Sequence, residues 1–170
     1  MKHLFLIAAI LTAGMLFSSP LVAQEVSDWK KTCVDANKAE TCRISQVRIY
    51  NKEVDGKQQP VGKILGLTVL YAADAKTSVR APYMSIQMPL GVDLRGGAVF
   101  RVDAGKEISV PYLQCTNAGC DASYPLDSVL IKQMKAGKTL IVGFRAWGNV
   151  KVTAVNASLK GFTKAFGALK

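Results

Sequence analysis

The chain has 170 residues, 49% of them hydrophobic, and carries 22 Lys or Arg against 12 Asp or Glu, a formal net charge of +10. This length fits one domain that buries most of its apolar surface without a metal or many disulfides. The only histidine is His3, so general-base, triad or metal-binding chemistry based on histidine is excluded from the rest of the chain.

The first residues have the pattern of a secretory signal. A basic start is followed by an apolar run at 4–17 and by small residues at 18–23 that offer a cleavage site. The apolar run is shorter than the about 20 residues of a membrane span, and no cysteine for lipid attachment adjoins the cleavage site. We therefore predict a signal peptide at 1–23 and one domain at 24–170. The expected location is the periplasm, with attachment at the outer membrane or secretion as alternatives.

In chain order, the first predicted element after the signal is a hairpin closed by a disulfide. Cys33 and Cys42 bracket a short polar turn between two strand-like runs. The polar segment 51–59 contains Asp55-Gly56, which predicts a turn before the next strand. That strand is predicted at 61–71, where apolar residues alternate with small and polar ones.

Alternating apolar residues predict further short strands in the middle of the chain. Pro111 favours an edge position for one of them, because proline provides no donor to a ladder of hydrogen bonds. Cys115 and Cys120 then flank a four-residue turn that is typical of antiparallel strands, which predicts a second stapled hairpin. The predicted strands lie at 84–88, 98–102 and 108–112.

The last part of the chain predicts two helices around another hairpin. Apolar residues recur at helical spacing over 126–134, and alternation then predicts paired strands at 140–146 and 150–154. Ser158 is predicted to cap a final amphipathic helix over 159–169. About eight short strands with two short helices favour an all-β antiparallel β-sandwich over a parallel α/β fold.

The four cysteines predict two structural disulfides. An even count in an exported chain favours disulfides over free thiols or a zinc site, and three pairings are open in principle. We favour Cys33–Cys42 and Cys115–Cys120 because each pair brackets a short turn, and each bridge would contribute roughly 2 to 3 kcal/mol. Four residues separate Cys115 from Cys120, unlike the Cys-x-x-Cys of thiol-disulfide enzymes. A thiol-disulfide oxidoreductase is therefore the alternative and not the leading prediction.

Other residues that often mark sites have simpler interpretations here. Trp29 and Trp147 are expected to pack in the core or against a hairpin. Asp93 and Asp103 fall well short of the six to eight oxygen ligands that calcium requires. No catalytic residue, cofactor or metal ion is predicted.

The basic charge is concentrated near the end of the chain. Residues 128–170 contain eight Lys or Arg and no Asp or Glu. Such a segment attracts anionic lipid, lipopolysaccharide or nucleic acid, and its plainer interpretation is a solvated face that keeps the protein soluble. Lys160 and Lys164 lie off the apolar face of the final predicted helix, so they are our candidates for contact with an anionic surface. Export makes nucleic acid a poor physiological partner.

Several short motifs, taken together in their order, resemble the invasion-associated locus B family of bacterial envelope proteins. The resemblance implies an immunoglobulin-like β-sandwich in the periplasm or outer envelope of a Gram-negative bacterium. It also implies a contribution to host-cell entry, and so to virulence, in some pathogens, and it implies no enzymatic activity. The motifs are Trp29 with Cys33, residues 42–46, 89–94 and 102–103, the turn at 115–120, and residues 134–137 and 158–162.

From these features we predict a non-enzymatic exported envelope protein. Its expected partner is a protein or an anionic envelope component, with peripheral contact to a membrane, and the pattern predicts no particular oligomeric state. The missing catalytic set, the export signal and the paired cysteines are the grounds for this prediction.

Overall fold

The computed structural model describes residues 27–73 and 78–169, so the predicted signal at 1–23 lies outside the described residues. Within the described part, two antiparallel sheets and two short helices surround one apolar core. The larger sheet contains, in spatial order, β1 (Lys30–Cys33), β2 (Cys42–Val54), β3 (Lys57–Ala73), β4 (Arg80–Met88), β8 (Gly119–Pro125) and β7 (Tyr112–Thr116). The smaller sheet contains β10 (Val152–Ser158), β9 (Thr139–Arg145), β5 (Ala98–Val102) and β6 (Ile108–Val110).

Alternation along the strands builds the core between the sheets. In β4, Met84, Ile86 and Met88 are fully buried, whereas the residues between them point to the other face of the sheet. The Phe100 ring of β5 meets the Tyr124 ring of β8 edge-on across the sandwich, with ring centroids 5.3 Å apart. The predicted all-β antiparallel sandwich with short helices is confirmed.

The chain passes from the smaller sheet to the larger one at Pro111, between β6 and β7. Among the described residues, each of these strands lies at the edge of its own sheet. On the outer side of an edge strand, no backbone N–H has to donate to a neighbouring strand, so proline, which has no N–H, is tolerated there. The predicted strand at 108–112 is divided at Pro111, which belongs to neither strand, and the two strands that flank it are edge strands, as the proline predicted.

The hairpin of β2 and β3 extends beyond the sandwich. Its turn lies at Asp55-Gly56, as predicted, and both residues have positive φ, 52° and 72°, as this kind of two-residue hairpin turn requires. The strands are longer than predicted, because the polar segment 51–59 is paired in a ladder up to the turn. Residues 47–62 are all exposed, and we call them the arm.

Two helices cover one end of the sandwich. α1 (Ser128–Ala136) begins after Asp127, whose carboxylate accepts a hydrogen bond from the Leu130 backbone N–H at 2.7 Å. A single turn of 3-10 helix (Ala39–Thr41) lies between β1 and β2. No helix in the described part of the chain is long and apolar enough to cross a membrane.

The second helix begins later than predicted. α2 (Phe162–Gly167) follows Gly161, and the predicted cap Ser158 is instead the last residue of β10. The Ser158 hydroxyl accepts a hydrogen bond from Lys160 N at 3.1 Å, so it stabilises the turn between strand and helix. Gly161 has a φ of 79°, and a Cβ there would meet Ser27, so the turn needs a glycine.

The strands separate two ends of the molecule. β9 runs from the α1 side to the opposite side, and β10 returns to α2. We call α1, α2 and their flanking residues the helix end, and we call the segments 89–97 and 146–151 the loop end. Seven strand residues span roughly 23 Å, so these ends face in opposite directions.

Candidate binding surfaces

The two segments of the loop end are joined by backbone hydrogen bonds. Asp93 N donates to Arg145 O at 2.8 Å, and Trp147 N donates to Gly91 O at 2.7 Å. Since these bonds extend the β9 pairing onto the neighbouring loop, they hold side chains from both segments in one surface.

A buried carboxylate lies next to two arginine side chains in this surface. Asp93 is only 5% exposed and accepts hydrogen bonds from Arg95 Nε at 2.9 Å and Arg95 Nη2 at 3.1 Å. Arg145 Nη2 lies 3.6 Å from the same carboxylate. The Arg95 hydrogen bonds hold the pKa of Asp93 below its usual value, and the carboxylate raises the pKa of Arg95. The Arg95 guanidinium also lies 5.0 Å from the centre of the Trp147 ring, which is cation–π geometry.

An open cavity of about 510 Å³ lies beside this cluster. The Trp147 side chain is 67% exposed, and four aliphatic side chains of the same region are exposed with it. Exposed apolar groups that occur together in this way often mark interaction sites. The cavity is lined by Asp93, Arg95, Arg145, Gly148, Asn149 and Val150, and the exposed aliphatic residues are Leu90, Leu94, Val150 and Val152.

The two arginines have different roles in this cluster. Arg95 gives two donors to Asp93 and stacks on Trp147, so its position is fixed by contacts within the chain. In the described residues, Arg145 has one ion pair, at 3.6 Å, and most of its five N–H donors are without an acceptor. Arg145 can therefore bind a carboxylate or phosphate oxygen from outside the chain.

Both predicted disulfides are present in the structure. Cys33 and Cys42 pair across β1 and β2 with Cα atoms 3.9 Å apart, and Cys115 and Cys120 pair across β7 and β8 with Cα atoms 4.0 Å apart. Each bridge joins neighbouring strands of a hairpin. Neither lies at the N-terminus of a helix, the position that lowers the thiol pKa in thiol-disulfide enzymes.

The helix end carries a group of exposed lysines. Lys135 Nζ lies 5.4 Å from the centre of the Phe166 ring, and Lys135 O accepts a hydrogen bond from Thr163 Oγ1 at 3.3 Å, so α1 and α2 form one surface. Both sequence candidates, Lys160 and Lys164, are exposed there. The group consists of Lys132, Lys135, Lys138, Lys160 and Lys164.

The basic segment at 128–170 does not form one surface. Arg145 lines the cavity beside the loop end and Lys151 ends the second segment of the loop end, whereas the lysines of α1 and α2 lie at the helix end. Lys170 lies outside the described residues. The charge excess is therefore divided between the two ends, because β9 and β10 carry the chain from one end to the other and back.

The two aspartates considered as metal ligands are both held by donors of the chain. The Asp103 carboxylate accepts hydrogen bonds from Lys138 N at 3.1 Å and Thr139 N at 2.9 Å, so it fixes the turn between α1 and β9. Asp93 binds the arginines instead. Within the described ranges, no three His, Cys, Asp or Glu side chains come close enough to hold a metal ion.

Sequence reasoning missed the loop end. Trp29 is buried, with its Nε1 donating to Ser158 O at 3.0 Å, as expected of a core tryptophan. The corresponding expectation for Trp147 was wrong, because this side chain is exposed at a hairpin turn. The available signal was a large aromatic residue directly before Gly148 and Asn149, both typical of turns.

Comparison with known proteins identifies relatives of the whole domain. The family model described as "Invasion associated locus B (IalB) protein" matches residues 29–170. The crystal structure of invasion associated protein B from Bartonella henselae is similar in fold, with a TM-score of 0.61 and 19% sequence identity. The match covers 86% of this chain and 94% of that chain. A search of curated proteins gives no match.

Proposed function

The chain belongs to the invasion associated locus B family, and from this premise we propose that it is a non-enzymatic exported envelope protein that binds an anionic envelope surface through its helix end. The observation that carries the proposal is the group of exposed lysines on α1, α2 and their flanks. Anionic lipid and lipopolysaccharide are the surfaces that an exported protein meets in the envelope, and both attract lysine.

Packing at the helix end supports the proposal. Phe162 and Phe166 are buried and stack on each other with centroids 5.5 Å apart, so α2 is held to the core by its apolar face. Lys160 and Lys164 are exposed on the remaining surface. Each lysine contributes about 1 kcal/mol near an anionic leaflet, so a few of them give weak attachment that depends on salt.

The test is sedimentation of the purified protein with phosphatidylglycerol vesicles at low and high salt. We expect binding at low salt, loss of binding at high salt, and no binding to phosphatidylcholine vesicles, because the attraction is electrostatic and is screened by ions. The double variant Lys160→Glu, Lys164→Glu should bind at least about tenfold more weakly.

The matched control makes the same charge change elsewhere. Lys52 and Lys57 are exposed on the arm, so Lys52→Glu with Lys57→Glu alters the net charge equally but leaves the helix end intact. We expect this control to retain most of the binding. Equal losses in both double variants, or binding that is insensitive to salt, would mean that the helix end is not the attachment surface.

The alternative function, a thiol-disulfide oxidoreductase, makes a different prediction. Cys115 is exposed and Cys120 is buried, so Cys115 is the sulfur that a substrate thiol could reach. An insulin-reduction assay with wild type and Cys115→Ser separates the two functions. We expect no activity above that of the free reductant in either protein, and activity that is abolished by Cys115→Ser would establish the enzyme.

A further inference from the structure

The loop end has no role in attachment through the helix end, yet its surface is built like a protein-binding site. Arg95 stacks on Trp147 in this surface, and Trp and Arg are enriched among the residues that dominate protein interfaces. Leu90 and Leu94 of the same loop end and Val152 beside it are also exposed.

The charge of this surface indicates the charge of its partner. The loop end and the adjoining Arg145 contain three basic residues and one acidic residue, Asp93. Because Asp93 is already bound to Arg95, an incoming anion meets the guanidinium of Arg145, most of whose donors have no acceptor in the described residues. Guanidinium is weakly hydrated and binds carboxylate through two parallel hydrogen bonds, so it suits a desolvated interface.

A second apolar recess adjoins the loop end. It has a volume of about 210 Å³ and lies between the arm and the end of the sandwich. Tyr50 and Val61 of the arm form one side, and Pro89 and Phe144 form the other. Pro89 also belongs to the loop end, so the recess adjoins that surface and can receive an apolar side chain of a partner docked there.

We propose that the loop end, together with this recess, docks a protein partner that presents an Asp or Glu carboxylate flanked by apolar side chains. The carboxylate binds Arg145, and the apolar side chains cover Trp147 and enter the recess. A protein is favoured over an acidic saccharide, because several exposed aliphatic side chains would contact the hydroxyl-rich surface of a sugar poorly but match an apolar protein surface. With the helix end on the envelope, the loop end faces away from it, free for a partner.

The experiment is selection of a displayed library of random peptides on the immobilised protein, followed by binding measurements on synthetic peptides. Fluorescence anisotropy of a labelled peptide measures binding to wild type and variants alike, and Trp147 fluorescence reports contact with the loop end in the wild-type protein. We expect enriched peptides to combine Asp or Glu with apolar residues and to bind Trp147→Ala at least about tenfold more weakly than wild type. Val129→Ala is the matched control, an exposed apolar side chain on α1, and should bind as wild type does.

A change in the protein combined with a change in the peptide tests whether Arg145 binds the carboxylate of the peptide. Arg145→Gln should weaken binding of an enriched acidic peptide but not of the same peptide with its acidic residues replaced by amides. Three results would overturn the proposal. The first is enrichment of basic peptides, and the second is enrichment that does not depend on Trp147. The third is an Arg145→Gln variant that binds the acidic peptide and the amide peptide equally more weakly than wild type does. An acidic glycan array bound through Trp147, in the absence of peptide enrichment, would overturn it in favour of a saccharide. Sedimentation equilibrium showing a dimer that Trp147→Ala dissociates would overturn it in favour of a second copy of the chain.

Discussion

Asp93 shows how one residue can organise a surface. Its carboxylate is buried, yet it stays ionised because Arg95 supplies two side-chain hydrogen bonds and a backbone N–H at 3.2 Å. In turn, Arg95 is held over the Trp147 ring. The position of the exposed tryptophan therefore depends on a carboxylate that has little contact with solvent.

The first prediction follows from this carboxylate. Because the pKa of Asp93 is lowered in the folded state, its contribution to stability is present above the unfolded value near 3.8 and is lost as the pH falls below that value. Asp93→Asn should therefore lower the free energy of unfolding at about pH 7, and this difference from wild type should shrink at about pH 3. Urea unfolding of both proteins at the two pH values measures it.

The control for this prediction is an exposed carboxylate. Asp55→Asn lies in the turn of the arm, where surface substitutions usually change stability by less than about 0.5 kcal/mol. A difference between wild type and Asp93→Asn that stays constant from neutral to acid pH would show that the carboxylate charge does not stabilise the fold.

At the scale of elements, the two sheets are joined at one side by an amide. Gln46 of β2 is buried, and its side chain donates to Ser158 O at 3.0 Å and accepts from Ser158 N at 3.0 Å. It also donates to Asp28 O at 3.2 Å. Because Ser158 ends β10, these bonds connect the larger sheet with the smaller one where no strand ladder does.

The second prediction concerns this connection. Gln46→Leu keeps a side chain of similar volume but leaves the half-buried Ser158 N–H without its acceptor, so the free energy of unfolding should fall by about 1 to 3 kcal/mol. Gln58→Leu, on the exposed part of β3, is the matched control and should be nearly neutral. Chemical denaturation measures both, and equal stability of the two variants would contradict the role of Gln46.

Strands with one buried face could be predicted from the sequence, because apolar residues then recur at every second position. In β4 these residues are Met84, Ile86 and Met88. Both disulfides could be predicted from short turns between cysteines. The pairing of residues 51–59 could not, because both faces of the arm are exposed and leave no alternation. The start of α2 was predicted too early, because the Ser158 backbone N–H donates to the side chain of Gln46 on β2, and Ser158 ends β10.

Of the two candidate surfaces, only the helix end could be predicted from the sequence. The lysines of the helix end could be found by counting charges, because composition is a local property of the chain. The loop end depends on contacts between segments more than fifty residues apart, such as Arg95 with Trp147. No sequence period marks such a contact, so only the fold brings the tryptophan, the arginines and the cavity together.

In the molecule as a whole, the sandwich separates two surfaces of different chemistry. The helix end presents lysines on a surface held by buried phenylalanines, and the loop end presents an aromatic and aliphatic surface with arginine. If the helix end contacts the envelope, the loop end faces away from it at a distance of roughly 23 Å or more, set by the length of β9.

Hydrogen exchange measured with and without phosphatidylglycerol vesicles tests this arrangement most directly. At low salt we expect the vesicles to slow exchange in α1, α2 and the turn at 159–161, while exchange at the loop end, residues 89–97 and 146–151, stays unchanged. High salt should remove the protection, because it releases the protein from the vesicles. Protection of the loop end instead, or of both ends equally, would contradict attachment through the helix end.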